Sequence, residues 1–426
     1  MMKQAKLKNG IPVIIDRMEG TKVVTAYVLF SVGSRHETKK TNGISHFLEH
    51  LFFKGTEKRP STLILSRELD GVGADFNAFT GKDYTGYYVK LDSRHTTLAL
   101  DILEDLLFHP LFEAEEIERE RGVIIEEINM YEDNPMSIAD ELSEQLLFGA
   151  EHPLGYRIAG PIENIKRVTK KEILDYRTEH YHPGSMVIVL TGDVPNNAMA
   201  QLNKMFGSTK HPKKPLRKPK KFVFTQKQPR IQIENKATAQ AHLSLAFPGP
   251  AHHAKDELPA KLLSTILGGS MSSRLFINIR ERMGLCYYIG SNVSPYADQG
   301  AFAIFAGFDR TRINDAITAI VNEVRSIRDN GVTEEELAQA KEYIRGKMSI
   351  RMEDSENVAG FWGQQFLHAR NLRSQEEFSR ALEKITAKDL KKFAQKYLKQ
   401  EFANLVVVGN YSVKQKTAFL KIIKQL

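Results

Sequence analysis

Apolar and polar positions alternate with two periods along this chain, and the changes between them predict strands and helices in turn. Segments 23–32, 73–80 and 85–91 alternate as half-buried strands or run apolar as buried ones. Segments 231–234, 241–247, 287–293 and 301–308 do the same in the second half. The pair flanking Gly81-Lys82-Asp83 has hairpin-like spacing, which predicts a partly antiparallel sheet. Helical patterns fill the stretches between, so each half reads as helices packed on a sheet.

The pattern also repeats. Residues 167–176, opened by Thr169, lead to the apolar run Val187-Ile188-Val189-Leu190 and then Gly192-Asp193. Residues 384–393, opened by Thr386, lead to Leu405-Val406-Val407-Val408 and then Gly409-Asn410. In both, a Thr N-cap opens an amphipathic helix that precedes a buried strand. A second echo pairs residues 112–117 with 332–337, each leading into a long charged helix. Two elements repeated in the same order predict a duplicated domain. The expected fold is α+β: two tandem homologous domains, 1–222 and 223–426, each a mixed, mostly antiparallel sheet packed with helices.

Composition narrows the class without altering that picture. At 426 residues, 42% apolar and 26% charged, the chain suits two ordinary globular domains and excludes fibrous and disordered classes. Cys286 is the sole cysteine, so no intrachain disulfide forms and a reducing compartment fits. No segment approaches the ~18 apolar residues of a membrane span, and the N-terminus lacks the apolar core of a signal peptide. A cytoplasmic protein without membrane partners is expected. The net charge of +8 raises nucleic acid as a partner. Much of the excess sits in Lys210, Lys213, Lys214, Arg217, Lys218, Lys220 and Lys221, punctuated by Pro212, Pro215 and Pro219. Such a stretch reads as a solvated linker. It interleaves no stacking aromatics, and the chain has no zinc-finger, helix-turn-helix or Walker spacing, so no nucleic-acid partner is expected.

Candidate chemistry concentrates in Ser45-His46-Phe47-Leu48-Glu49-His50. At about 100° per residue, His46 and His50 share one helical face with Glu49 beside them. Ile44, Phe47, Leu48, Leu51 and Phe52 fall on the opposite, core-facing side. Two imidazoles one turn apart can bind one ion, and a neighbouring carboxylate can take a proton from an activated water. The order reverses the H-E-x-x-H zinc motif. A catalytic zinc needs a third protein ligand, and the charged helix at 116–128 offers several carboxylates. Glu120 and Glu127 share a face two turns apart, with Glu126 turned about 100° away. Spacing alone does not choose among them.

His46-Phe47-Leu48-Glu49-His50, followed after about 76 residues by Glu127 with Glu120 seven positions before it, resembles the family of pitrilysin, insulin-degrading enzyme and the mitochondrial processing peptidase. The resemblance implies a zinc endopeptidase acting on short or unfolded peptides in a closed chamber, with one zinc per chain. By resemblance the ligands are His46, His50 and Glu127, Glu49 is the general base, and Glu120 orients a ligand or supports the catalytic water. Residues 73–80 look like the family's edge strand, whose Asn77-Ala78 would contact substrate backbone. Arg280 and Tyr287 match an R-x6-Y element that faces substrate and the developing oxyanion. The second half has no H-x-x-E-H; on the upstream echo Glu120 maps to Ala340 and Glu127 to Lys347. The chain's length is similar to the short bacterial-type members near the processing peptidases. Those build a four-domain clamshell from two subunits, which implies a homodimer here. The same fold also serves noncatalytic scaffold subunits of a respiratory complex, the second function the resemblance allows.

Overall fold

The computed structural model describes residues 2–209, 218–369 and 372–426. Lys210, Lys213, Lys214 and Arg217 of the basic stretch lie outside the described residues. Lys218, Lys220 and Lys221 are exposed and belong to no helix or strand.

Two compact units emerge from the packing. The first comprises Met1–Ile128, Tyr156–Lys220 and Ser349–Leu372, and the second comprises Asn129–Gly155, Lys221–Met348 and Arg373–Leu426. Each half of the sequence therefore lends a segment to the unit built mainly from the other half.

The first unit holds six strands: β1 (Lys3–Lys6), β2 (Pro12–Arg17), β3 (Val23–Phe30), β4 (Asp75–Thr80), β5 (Thr85–Asp92) and β6 (Met186–Gly192). Their order is β1-β2-β6-β3-β5-β4, with only the β2–β6 pair parallel. The second unit holds β7 (Arg230–Glu234), β8 (Gln240–Gly249), β9 (Cys286–Ser294), β10 (Gly300–Asp309) and β11 (Asn404–Val408). Their order is β7-β11-β8-β10-β9, with only β7–β11 parallel. From β2 and from β7 onward the two sheets have the same order and strand sense. This is the duplication read in the sequence, with β1 added at one edge.

The repeated helices begin as their caps predict. Thr169 accepts a hydrogen bond from the Glu172 amide and Thr386 from the Asp389 amide, each within a capping box. The helices Lys170–His180 and Ala387–Tyr397 precede β6 and β11 respectively. All residues of both strands are buried.

In the first unit, β3 shows why its sequence reads as continuously apolar. Val24, Ala26, Val28 and Phe30 face a core shared with the helices Ile44–Phe52, Thr96–Phe108 and Ala114–Asp133. Tyr27 and Leu29 face the other side, with Ile14, Val187 and Val189. That second face is covered by Val358, Ala359 and Trp362 of the helix Ser355–Ala369. Polar bonds fix the helix there: Trp362 Nε1 donates to Asp16 Oδ2 at 2.8 Å, and Thr191 Oγ1 donates to the Ser355 carbonyl at 2.6 Å. The second unit repeats the device. Ile138, Ala139 and Leu142 of the helix Pro135–Phe148 pack on Val406 and Val408 of β11.

Candidate metal centre

The motif helix, Ile44–Phe52, is held by its apolar side. Ile44, Phe47, Leu48, Leu51 and Phe52 are each at most 1% exposed. Its start is built by the preceding turn. Gly43 sits at φ 102°, which favours glycine, and a Cβ there would lie 2.6 Å from the Ala159 carbonyl oxygen. The buried Glu37 carboxylate accepts from the Gly43 amide at 2.9 Å, the Ser45 amide at 2.8 Å and the Asn42 side chain at 2.8 Å. It satisfies helix-start N–H groups that have no intrahelical acceptor. Burial drives the Glu37 pKa up to about 7, against the pull of these donors.

The carboxylate helix, Ala114–Asp133, runs beside it, anchored by Ile117, Ile124 and Ile128. Arg121 braces the two: its guanidinium lies 5.6 Å from the centroid of the Phe47 ring and donates to the Val168 carbonyl at 3.0 Å. This packing chooses among the glutamates that spacing left open. Glu118 and Glu126 are exposed, whereas Glu120 is 2% exposed and Glu127 is half-buried.

His46, His50 and Glu127 form a three-donor cluster. Glu127 Oε2 lies 3.5 Å from His46 Nε2 and 3.3 Å from His50 Nε2. The two imidazole centroids are 4.7 Å apart. Donors held about 2.0–2.2 Å from a tetrahedral zinc would stand roughly 3.3–3.6 Å from one another, so these separations fit the ion. Two imidazoles and one carboxylate also match a catalytic donor set that leaves a fourth position open.

The surroundings tune these groups. Burial lowers the His46 pKa to about 4, with Glu127 opposing. Burial would lower His50 as well, but its hydrogen bonds to Glu120 and Glu127 outweigh that and raise it to about 9. His50 Nδ1 meets Glu120 Oε2 at 3.2 Å, the carboxylate–imidazole contact that fixes a ligand's orientation. His46 Nδ1 is sealed from solvent without a hydrogen-bond partner among the described residues.

Glu49 is half-buried beside the cluster, and Thr80 Oγ1 donates to its Oε2 at 2.6 Å. Burial raises the Glu49 pKa, and the Thr80 hydrogen bond opposes the rise. Thr80 closes β4, so one side-chain bond ties the edge strand to the motif helix. Asn77 is exposed on β4 and Ala78 half-buried, and β4 has a paired neighbour on one side, β5. Arg280 and Tyr287 belong to the second unit. The Arg280 guanidinium lies 5.5 Å from the Tyr287 ring centroid, and Tyr287 is 77% exposed on β9.

Two contributors escaped the sequence reading. Thr80 is one. The other is Lys54, whose Nζ lies 2.7 Å from Glu120 Oε1. Its signal was present: Lys54 extends the row His46, His50 by one more helical turn. Nothing in the sequence showed that this row faces Glu120.

The chain is similar to known proteins along most of its length. The family model described as Insulinase (Peptidase family M16) matches residues 12–162, and the one described as Peptidase M16 inactive domain matches residues 167–344. The uncharacterized zinc protease YmxG of Bacillus subtilis is 32% identical over 95% of this chain and 97% of its own. An uncharacterized zinc protease of Streptomyces coelicolor is 31% identical over 97% of this chain and 91% of its own. A protease structure from Helicobacter pylori shares the fold with TM-score 0.90 at 24% identity, over 96% of this chain and 99% of that one. A chain of Complex III2 from Candida albicans shares it with TM-score 0.83 at 15% identity, over 99% of each chain.

Proposed function

Because the chain belongs to the M16 (insulinase) family of peptidases, we propose that it is a zinc-dependent endopeptidase with one zinc per chain, held by His46, His50 and Glu127. The observation that carries the proposal is the three-donor cluster with Glu49 beside it. A noncatalytic scaffold has no need of this set.

When bound, zinc supplies a Lewis acid that polarises a carbonyl and activates water for attack. Glu49 is the general base. Its Oε2 is occupied by the Thr80 hydroxyl, which leaves Oε1 to take the proton of the attacking water and later give it to the departing amine. Burial of Glu49 makes it a stronger base than an exposed glutamate. Glu120 holds the His50 ring in orientation through Nδ1. A peptide pairing with β4 would extend the sheet by main-chain hydrogen bonds, with Asn77 and Ala78 contacting it. That mode suits short or unfolded substrates, as does the closed chamber the family resemblance implies. Arg280 and Tyr287 are carried over from the family as further substrate contacts.

The deciding experiment follows zinc content and peptide cleavage together. The purified chain should hold about one zinc, lose activity to a chelator and regain it with zinc. Glu49→Gln should keep the metal, and cleavage should fall by a factor of 10² or more. Full activity in Glu49→Gln would sink the assignment of the base. A chain that cleaves nothing in a broad peptide library, while holding zinc, would favour the scaffold.

A further inference from the structure

Glu120 is one of the least exposed carboxylates in the first unit, at 2%, and its two oxygens have different partners. Oε2 meets His50 Nδ1 at 3.2 Å, and Oε1 meets Lys54 Nζ at 2.7 Å. His50 and Lys54 are four residues apart, so both reach one carboxylate from the same side of the motif helix. The Lys54 backbone is fixed by the turn that ends this helix, with its amide donating to the Leu51 carbonyl at 3.1 Å. An imidazole that gives Nε2 to a metal carries its proton on Nδ1, so Glu120 must remain an acceptor aimed at that proton. A neutral donor supplies no full charge to a buried carboxylate, and an uncompensated one is strongly disfavoured.

We propose that Lys54 is a positioning residue of the zinc site: its ammonium neutralises Glu120 and pins that carboxylate where it orients His50 toward the metal. The inference rests on the zinc reading above. Lys54 also follows a helix C-terminus, where any cation is mildly favourable. That role accounts for a lysine in this turn but not for its short contact with a buried carboxylate 66 positions along the chain.

The experiment measures zinc affinity of the purified full chain by competition with a chelating indicator, independently of activity. Lys54→Met should weaken zinc binding by about 10- to 100-fold, the usual effect of removing a group that supports a ligand. Lys54→Arg should recover most of the loss. The double variant Lys54→Met/Glu120→Gln should bind zinc no more weakly than Glu120→Gln alone, because both act through one carboxylate. Lys54→Gln serves in the same assay if Lys54→Met does not fold. Wild-type affinity in the uncharged variants, or losses that simply add in the double variant, would overturn the role of Lys54 while leaving the zinc site standing. Absence of zinc uptake by the wild-type chain would overturn the site and this inference together.

Discussion

Thr80 and Glu49 show how a single hydroxyl can matter at this site. The 2.6 Å bond takes one carboxylate oxygen and leaves the other available, so it sets the direction of Glu49, while burial raises its basicity and the bond partly offsets that rise. Thr80→Val keeps the shape and removes the donor. Its kcat for peptide cleavage is expected to drop about tenfold with KM and zinc content little changed, a fraction of what a general base contributes in full. Thr80→Ser is expected to stay near wild type. Equal activity in the Val and Ser variants would show that the bond is structural only. The sequence marked Glu49 through its place between two histidines, whereas Thr80 sat in an ordinary strand pattern 31 positions away. Its role depends on where the edge of the sheet meets the helix.

The motif helix depends on a cap that is not its own. Glu37 lies six and eight positions before the amides of Gly43 and Ser45 that it accepts from, in a turn rather than at the helix N-cap. Its folded pKa, about 7, is raised above the ordinary 4.5. Its contribution to stability is therefore fully present below about pH 4.5, declines as pH rises to about 7 and is flat above that. The stability of metal-free wild type relative to Glu37→Gln should accordingly fall across that window, by at most on the order of 3 kcal/mol. Chemical denaturation at several pH values, with chelator present, reads the difference. A gap that does not vary with pH would refute the assignment. Helix periodicity placed the two histidines and the apolar stripe correctly, because both follow from 3.6 residues per turn. A cap supplied from a preceding turn has no periodic signature.

At the scale of the chain, the two units exchange helices. Trp362, the sole tryptophan, lies on the first unit's sheet yet comes from the second half of the sequence. The helix Pro135–Phe148 makes the reverse journey. A chain cut near residue 222 should therefore give two pieces that each lack a cover for an apolar sheet face, including Tyr27, Leu29 and Val189 in one and Val406 and Val408 in the other. Expressed alone, residues 1–222 are expected to aggregate or to show little near-ultraviolet circular dichroism. Mixed with 223–426, they are expected to restore the buried Trp362 emission. A natively packed isolated piece would contradict this. The homodimer proposed from the family resemblance is a separate matter, tested by sedimentation velocity; a monomer with full activity would end it. Among the described residues, no helix is long and apolar enough to cross a membrane.

The zinc motif, the repeat and most strand positions could be read from the chain because each rests on local spacing: an imidazole pair one turn apart, a cap three residues from its amide, an alternation of period two. Even the paired glutamates were visible as residues sharing a face. Folding decided which of those glutamates turned inward, since exposure depends on what a helix packs against and Arg121, Phe47 and the isoleucines set that. It also decided that Lys54 and Thr80 meet the site, and that each sheet is covered by a helix from the other half. These are contacts between residues far apart in sequence, and no local period encodes them.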